Sequence, residues 1–196
     1  MIRPFSQACE NNKQAILHKI RTVFNETNCV WEIGSGTGQH ACYFAEHLPH
    51  LIWQATDRDE NLSGIDLWLL ESGLNNIPKS LALNVREAHW PCQQIEAVFT
   101  ANTLHIMSWQ AVEDFFIGLA RYLTESAVVC IYGSFKYAGE FTSKSNAQFD
   151  LWLKERDASS GIRDIEAVAK LAKIARLSIT DDFTMPANNR LLVLRN

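Results

Sequence analysis

The sequence predicts an α/β fold, one domain over residues 1–196 built on a mainly parallel sheet with helices on both faces. Three observations predict it. Short apolar runs alternate with longer segments whose apolar residues recur at helical spacing, the pattern of strands crossed over by helices. The run 127–132, Ala-Val-Val-Cys-Ile-Tyr, has no polar alternation, as expected of a strand covered on both faces inside a parallel sheet. A strand-like run at 29–33 breaks into three alternate glycines, Gly34, Gly36 and Gly38, before helical spacing resumes.

In chain order, Asn11 or Asn12 caps a first helix with Ile16, Ile20, Val23 and Phe24 on one stripe. The strand at 29–33 passes through the glycine loop into a helix carrying Ala41, Phe44, Ala45 and Leu48 ahead of Pro49. Residues 52–57 form the second strand, and a helix over 62–72 ends at Gly73. Residues 81–85 and 97–101 are the third and fourth strands; Ser108 then caps a helix with Val112, Phe115, Phe116, Leu119 and Leu123 inward. The fifth strand stops at Gly133. A long connection through Phe135, Tyr137 and Phe141 leads to helices over 145–157 and 164–176, the second with Ile165, Val168, Leu171 and Ala175 inward. Strands at 177–180 and 191–194 close the fold as an antiparallel pair, joined by a short connection that includes Asn188-Asn189.

At 196 residues the chain is long enough for a core that needs no disulfide or structural metal. Its net charge of −4 argues against a partner held through many phosphate contacts, which excludes nucleic acid and leaves small molecules or proteins. No window approaches the length of a membrane-spanning helix and the first residues contain no apolar leader, so the expected location is the cytoplasm. Five cysteines, odd in number and without a CxxC pair, read as reduced thiols with no metal-ligand spacing. Oligomeric state is not readable.

A glycine loop between strand and helix lets backbone approach a ligand and points free N–H groups at it. A Walker loop needs Gly-Lys-Ser/Thr after four intervening residues, but Gln39 stands five residues after Gly34 and no lysine follows. The GxGxxG dinucleotide fingerprint also falls on Gln39 at its third glycine, which disfavours a nicotinamide oxidoreductase. What remains is Glu32-x-Gly34-x-Gly36-x-Gly38, with a carboxylate that suits a cationic ligand. Asp57 follows at the end of the second strand, where an acid accepts hydrogen bonds from ribose hydroxyls. S-adenosylmethionine, with its ammonium, sulfonium and ribose and no phosphate, fits this set.

The segment 30–38, Val-Trp-Glu-Ile-Gly-Ser-Gly-Thr-Gly, is similar to the first motif of class I S-adenosylmethionine-dependent methyltransferases. Further segments resemble one small "methyltransferase-like" branch of that superfamily, found in bacteria and animals: Arg3-Pro4, Glu10-Asn11-Asn12, 35–40, 102–106, 143–146, 161–164 and 185–189. The resemblance spans nearly the whole chain. It implies a Rossmann-like, seven-stranded, mostly parallel sheet with an antiparallel strand near the C-terminal edge. It implies a methyltransferase acting, in this reading, on a small-molecule acceptor. It also implies roles: Glu32, Gly34, Ser35, Gly36 and Gly38 around the methionine end of the cofactor, Asp57 at the ribose, and Asn84 beside the adenine where an Asp is common. Asn102 and Leu104 would face the transferred methyl. A second reading stays open, a methyltransferase-fold protein without catalysis that binds a metabolite or a protein partner.

Methyl transfer from a sulfonium mainly requires alignment of the nucleophile and exclusion of water, and a base is optional. His105, just beyond the fourth strand, is the candidate base, or else a loop histidine bonded to backbone. The candidate acceptor contacts each have a structural alternative. Gln39 and His40 reach a ligand or cap a helix, and Tyr132 and Phe135 wall the acceptor or join the core. Asn146 and Asp150 face an acceptor or solvent, Arg163 pairs with an acceptor anion or anchors a helix, and Asn188 and Asn189 face the cleft or make a turn.

Overall fold

A computed structural model describes residues 3–196; Met1 and Ile2, which the reading of the chain start takes in, lie outside the described residues. Five parallel strands, β1 (Cys29–Ile33), β2 (Ile52–Asp57), β3 (Leu81–Ala82), β4 (Ile95–Ala101) and β5 (Leu123–Gly133), are interleaved with helices α1 (Gln7–Val23), α2 (Gln39–His47), α3 (Asp59–Ser72) and α4 (Trp109–Tyr122), except that β4 follows β3 with no helix between them. The chain continues through β6 (Phe135–Tyr137), β7 (Glu140–Phe141), α5 (Lys144–Arg156), β8 (Arg163–Asp164) and α6 (Ile165–Ala172), and ends in the hairpin β9 (Ser178–Met185) and β10 (Asn189–Arg195).

The main sheet runs β3-β2-β1-β4-β5-β10-β9, with β10 antiparallel to both neighbours. This is the predicted seven-stranded arrangement. Between β1 and β4 the order reverses direction, and the crevice at the carboxyl ends of these strands is where open α/β sheets place ligands.

Each face of the sheet has its own core. On one, α1 to α3 cover Val30, Trp53, Phe99 and Cys130, with Phe24, Phe44, Trp53 and Phe99 in mutual edge and tilted contacts. On the other, α4 and α6 cover Ile33, Val98, Val129, Ile131 and Leu192 through Val112, Phe115, Phe116 and Val168. Trp90 wedges into the second core opposite Gly118 and stacks on Tyr122 at 5.4 Å.

Several boundaries differ from the sequence reading. The first helix starts at Gln7, capped by the Ser6 hydroxyl at the Cys9 amide, and neither Asn11 nor Asn12 caps it. The third strand keeps only Leu81 and Ala82, because at Asn84 the chain turns, the Asn84 side chain accepting from the Arg86 amide and its carbonyl from Glu87. Leu123 opens β5 instead of closing α4. The connection after Gly133 holds a three-stranded sheet of its own, β7-β6-β8, whose strands are too short to show periodicity. The Asn188-Asn189 connection is a 3-10 turn, Pro186–Asn188, with Ala187 and Asn188 left-handed.

A Cβ added at Gly118 would lie 2.0 Å from a ring atom of Trp90. Gly118→Ala is therefore expected to cost about 1–3 kcal/mol by overpacking, read as a lower thermal midpoint; an unchanged midpoint contradicts the packing described.

Candidate functional site

The site is built at the switch point, from the carboxyl ends of β1, β2 and β4. Gly34, Gly36 and Gly38 all take left-handed φ angles of 79°, 60° and 87°. At Gly34 the need is also steric, since a Cβ would lie 2.8 Å from Thr103 on the neighbouring β4 loop. The Gly34 and Ser35 amides both donate to the Thr56 carbonyl at 3.0 Å, which folds the loop onto the end of β2.

Asp57 fixes the loop from β2. Its Oδ2 accepts from the Gly36 amide at 2.7 Å, and its Oδ1 accepts from the Arg58 amide and the Asn61 side chain at 2.7 and 2.8 Å. A carboxylate offers about four acceptor positions; three are filled, leaving one on Oδ2 for a ligand hydroxyl. A Cβ at Gly36 would meet nothing within 4 Å. A cavity of about 320 Å³ adjoins the loop, lined by Pro4, Gly36, Glu60, Asn61, Gly64 and Leu67 among others.

Glu32 is 1% exposed. Its Oε2 accepts from the Trp53 indole at 3.1 Å, and burial in these aromatic surroundings pushes its carboxyl up to about 8, with the Asp57 charge acting in the same direction. A cation placed nearby reverses that bias.

The N-terminal segment locks the loop from outside. Gln39 is buried, its Oε1 accepting from the Ser6 amide at 2.5 Å and the Thr37 hydroxyl at 3.0 Å, its Nε2 donating to Glu10 at 2.7 Å. Burial holds the His40 ring neutral, its value lowered to about 4; its Nε2 meets the Asn12 side chain at 2.6 Å while it stacks on Phe44. These two residues anchor α1 to the loop, and neither is left to reach an acceptor. The Trp68 indole donates to the Pro4 carbonyl at 2.7 Å, tying residues 3–6 to α3.

Beyond β4, segment 160–163 grips the loop carrying His105. Four successive carbonyls receive its donors: Leu104 from Arg163 Nε at 3.0 Å, His105 from the Gly161 amide at 2.9 Å, Ile106 from the Ser160 hydroxyl at 2.7 Å, and Met107 from the Arg163 guanidinium. Arg163 also donates to Ser159. Three of its five N–H donors go to backbone carbonyls, which makes it an anchor of the His105 loop. Asp150 is likewise engaged, by the Ile162 amide at 2.7 Å and Lys154 at 2.6 Å. Leu104 and Phe135 are core residues at 4% and 1% exposure.

His105 is buried, and burial first, then the Arg163 charge, lowers its ring to about 4, so it is neutral at physiological pH. Among the described residues no group hydrogen-bonds its ring. Phe149 of α5 stands edge-on to it at 5.1 Å, and a Cβ at Gly133 would lie 3.5 Å from its Nδ1. Asn102, left-handed at φ 58°, donates its amide to the Tyr132 carbonyl. Asn12 and Asn189 lower the Tyr132 hydroxyl by hydrogen bonding against the larger, upward effect of burial, and the Ser134 hydroxyl donates to Asn189 at 2.7 Å. Asn146 donates to Thr142 and the Asn188 carbonyl, and Asn188 to Ser145, so α5 is tied to the β9–β10 turn.

Residues 3–196 match a family model described as a protein of unknown function (DUF938). The chain belongs to the DUF938 family. Among solved structures, the DUF938 chain is similar to an O-methyltransferase family protein from Burkholderia thailandensis, with a TM-score of 0.82 at 14% identity over 94% of this chain and 56% of that one. It is also similar to an O-methyltransferase from neocarzinostatin biosynthesis, in complex with S-adenosylmethionine and 2-hydroxy-5-methyl naphthoic acid. That match has a TM-score of 0.78 at 16% identity, over 95% of this chain and 54% of that one. This DUF938 member therefore has the methyltransferase fold and spans about half the length of those neighbours.

Sequence reasoning missed Asn61, which orients Asp57; Thr103, which fits against Gly34; and Phe149, which covers His105. Asn61 lies four residues after Asp57, a helical spacing that offers a signal in hindsight. The others meet their partners only through the fold.

Glu32→Gln tests the buried carboxyl. The native protein keeps a proton on Glu32 that the unfolded chain, at 4.5, releases, so wild-type stability falls as pH rises from about 4.5 to about 8. The amide removes this dependence: the variant is expected to gain thermal midpoint over wild type by several degrees at pH 8 and by little at pH 5, and a pH-independent difference contradicts the burial.

Proposed function

We propose that this protein is a methyltransferase that uses S-adenosylmethionine and acts on a small-molecule acceptor. The observation that carries the reading is the Asp57 carboxylate bound to the Gly36 amide at the switch point, with one acceptor position to spare beside a left-handed glycine loop. The methyltransferase fold of the structural neighbours supports it.

The residues present fit the cofactor. Gly36 leaves its backbone open, with nothing within 4 Å of where a Cβ would stand, Asp57 accepts from the ribose, and Glu32, a buried carboxyl, favours an ammonium-bearing ligand. Ser35 shapes the loop, its hydroxyl meeting the Thr56 amide at 3.2 Å. Asn84 keeps its NH₂ for the adenine after its oxygen caps the Arg86 amide. Asn102 and Leu104 border the methyl position.

Bound S-adenosylmethionine supplies an electrophilic methyl on a good leaving group. The protein has to align an acceptor and take its proton. His105 is neutral and fixed through its own carbonyl by Gly161, so its ring accepts a hydrogen bond from the acceptor. An oxygen that has begun to bond a methyl carbon becomes strongly acidic, so a ring of lowered basicity suffices to receive its proton.

Calorimetric titration is expected to show binding of both S-adenosylmethionine and S-adenosylhomocysteine, weakened by about 1–3 kcal/mol in Asp57→Ala. Absence of binding by wild type ends the proposal. Transfer of labelled methyl into the small-molecule fraction of a cell extract is expected to exceed that of a Gly36→Trp control, whose side chain projects into the open space beside the loop. No excess favours a non-catalytic binding protein.

His105→Gln is expected to lower this transfer by roughly 10²-fold without changing cofactor affinity. In wild type the rate should be level from pH 8 to 6 and fall only as the pH approaches about 4. A decline centred near 6.5 shows a solvent-titrating ring and contradicts the assignment.

A further inference from the structure

One face of α3 carries two loads. Asn61, Gly64, Trp68 and Glu71 follow one another at spacings of three and four residues and so share a stripe of the helix. Asn61 donates to the Asp57 carboxylate. The other three seat the chain at residues 3–6. A Cβ on Gly64 would lie 2.9 Å from Cγ and 3.2 Å from Cδ of Pro4, so the proline ring rests where a side chain would stand. The Trp68 indole donates to the Pro4 carbonyl at 2.7 Å, and the Arg3 guanidinium lies 3.8 Å from the centre of the Trp68 ring while pairing with Glu71 at 2.5 Å.

Local propensity does not explain Gly64. Glycine inside a helix is destabilising relative to alanine, and here its effect is to admit Pro4. Proline has no N–H, so a close seat on the helix leaves no backbone donor without a partner. At the far end of the segment the Ser6 amide donates to the buried Gln39 Oε1 at the first turn of α2, and Phe5, between Pro4 and Ser6, is exposed. Residues 3–6 therefore bridge α3 and α2 beside the cavity of about 320 Å³ at the glycine loop, and Pro4 lines that cavity with Gly36, Asn61 and Leu67. Among the described residues the lining contains Glu60 and no lysine or arginine, which suits a ligand without phosphate.

We propose that Pro4 binds the cofactor of the methyltransferase reading above, on which this inference rests: its ring walls the cavity at the nucleoside end, and Gly64 positions it there. Gly36 and Asn61 both bond Asp57 and both line the cavity, so the Pro4 wall belongs to the same cavity as the carboxylate assigned to the ribose. The proline ring covers apolar surface of the nucleoside that the polar groups around Asp57 would leave to water. Trp68 and Arg3 hold the segment on α3, and Ser6 fixes it to α2. The wall is thus ordered without the ligand, which lowers the entropic cost of binding. Asn61 and Gly64 lie one turn apart, so a single rigid helix sets both the carboxylate and the wall.

The test is calorimetric titration of the full chain with S-adenosylhomocysteine and with 5′-methylthioadenosine, which keeps the nucleoside and the thioether and lacks the amino-acid end. Pro4→Ala, which removes most of the ring, is expected to weaken both ligands by the same factor, about fivefold. Gly64→Ala, whose methyl group takes the space of the Pro4 ring, is expected to weaken both by about tenfold. Because Gly64 acts through Pro4, the double variant is expected to bind no more weakly than Gly64→Ala alone. Wild-type affinity in Pro4→Ala overturns the proposal, and so does a loss confined to S-adenosylhomocysteine, which puts the effect at the amino-acid end. Wild type that binds S-adenosylhomocysteine and not 5′-methylthioadenosine lacks a nucleoside seat, which also overturns it. Losses that add in the double variant overturn the positioning role of Gly64. Wild type that binds neither ligand overturns the cofactor reading, and this inference with it, before any variant is made.

Discussion

The 2.7 Å hydrogen bond from the Gly36 amide to Asp57 is the constraint on which the rest of the site depends. It joins the tip of the glycine loop to the end of β2 across the point where the sheet order reverses. Because Gly36 is left-handed, its amide points back to the carboxylate and its Cα hydrogen faces open space. Asn61 and the Arg58 amide hold the same carboxylate from the first turn of α3, so helix, strand and loop meet on one anion. A charge-assisted contact of this kind is roughly twice as strong as a neutral one.

Around it, the segments most distant in sequence carry the second layer of support. Gln39, where a dinucleotide loop would have its third glycine, receives the Ser6 amide and gives its own NH₂ to Glu10. The loop is thus braced by a side chain where a phosphate-binding loop would be braced by its ligand. On the other side, residues 160–163 donate to four consecutive carbonyls of the His105 loop. Backbone acceptors that a loop would otherwise expose to water are satisfied internally, which holds a buried histidine in place through its backbone.

Periodicity exposed the seven main strands and six helices, because burial on both faces of a parallel sheet writes long apolar runs such as 127–132. It did not expose β6, β7 and β8, each two or three residues long and fixed by pairing instead of by pattern. The glycine loop, Glu32 and Asp57 were legible because spacing alone excludes the phosphate-binding alternatives. Arg163, Asp150 and Gln39 were legible as unusual polar residues and not as anchors, since each has a partner remote in the chain: Leu104 at 59 residues, Ile162 at 12 and Ser6 at 33. The role of Phe149 is invisible in the sequence, where it is one aromatic residue on a helix of mixed polarity.

The ends of the main sheet have a consequence for how this molecule meets others. At one edge β3 contributes two residues; at the other, β9 reads Ser-Ile-Thr-Asp-Asp-Phe-Thr-Met and puts adjacent aspartates on its length. An edge that short, or that acidic, is a poor template for a further strand. Growth by strand addition, the route to fibrils and swapped sheets, is therefore disfavoured at both margins of the main sheet.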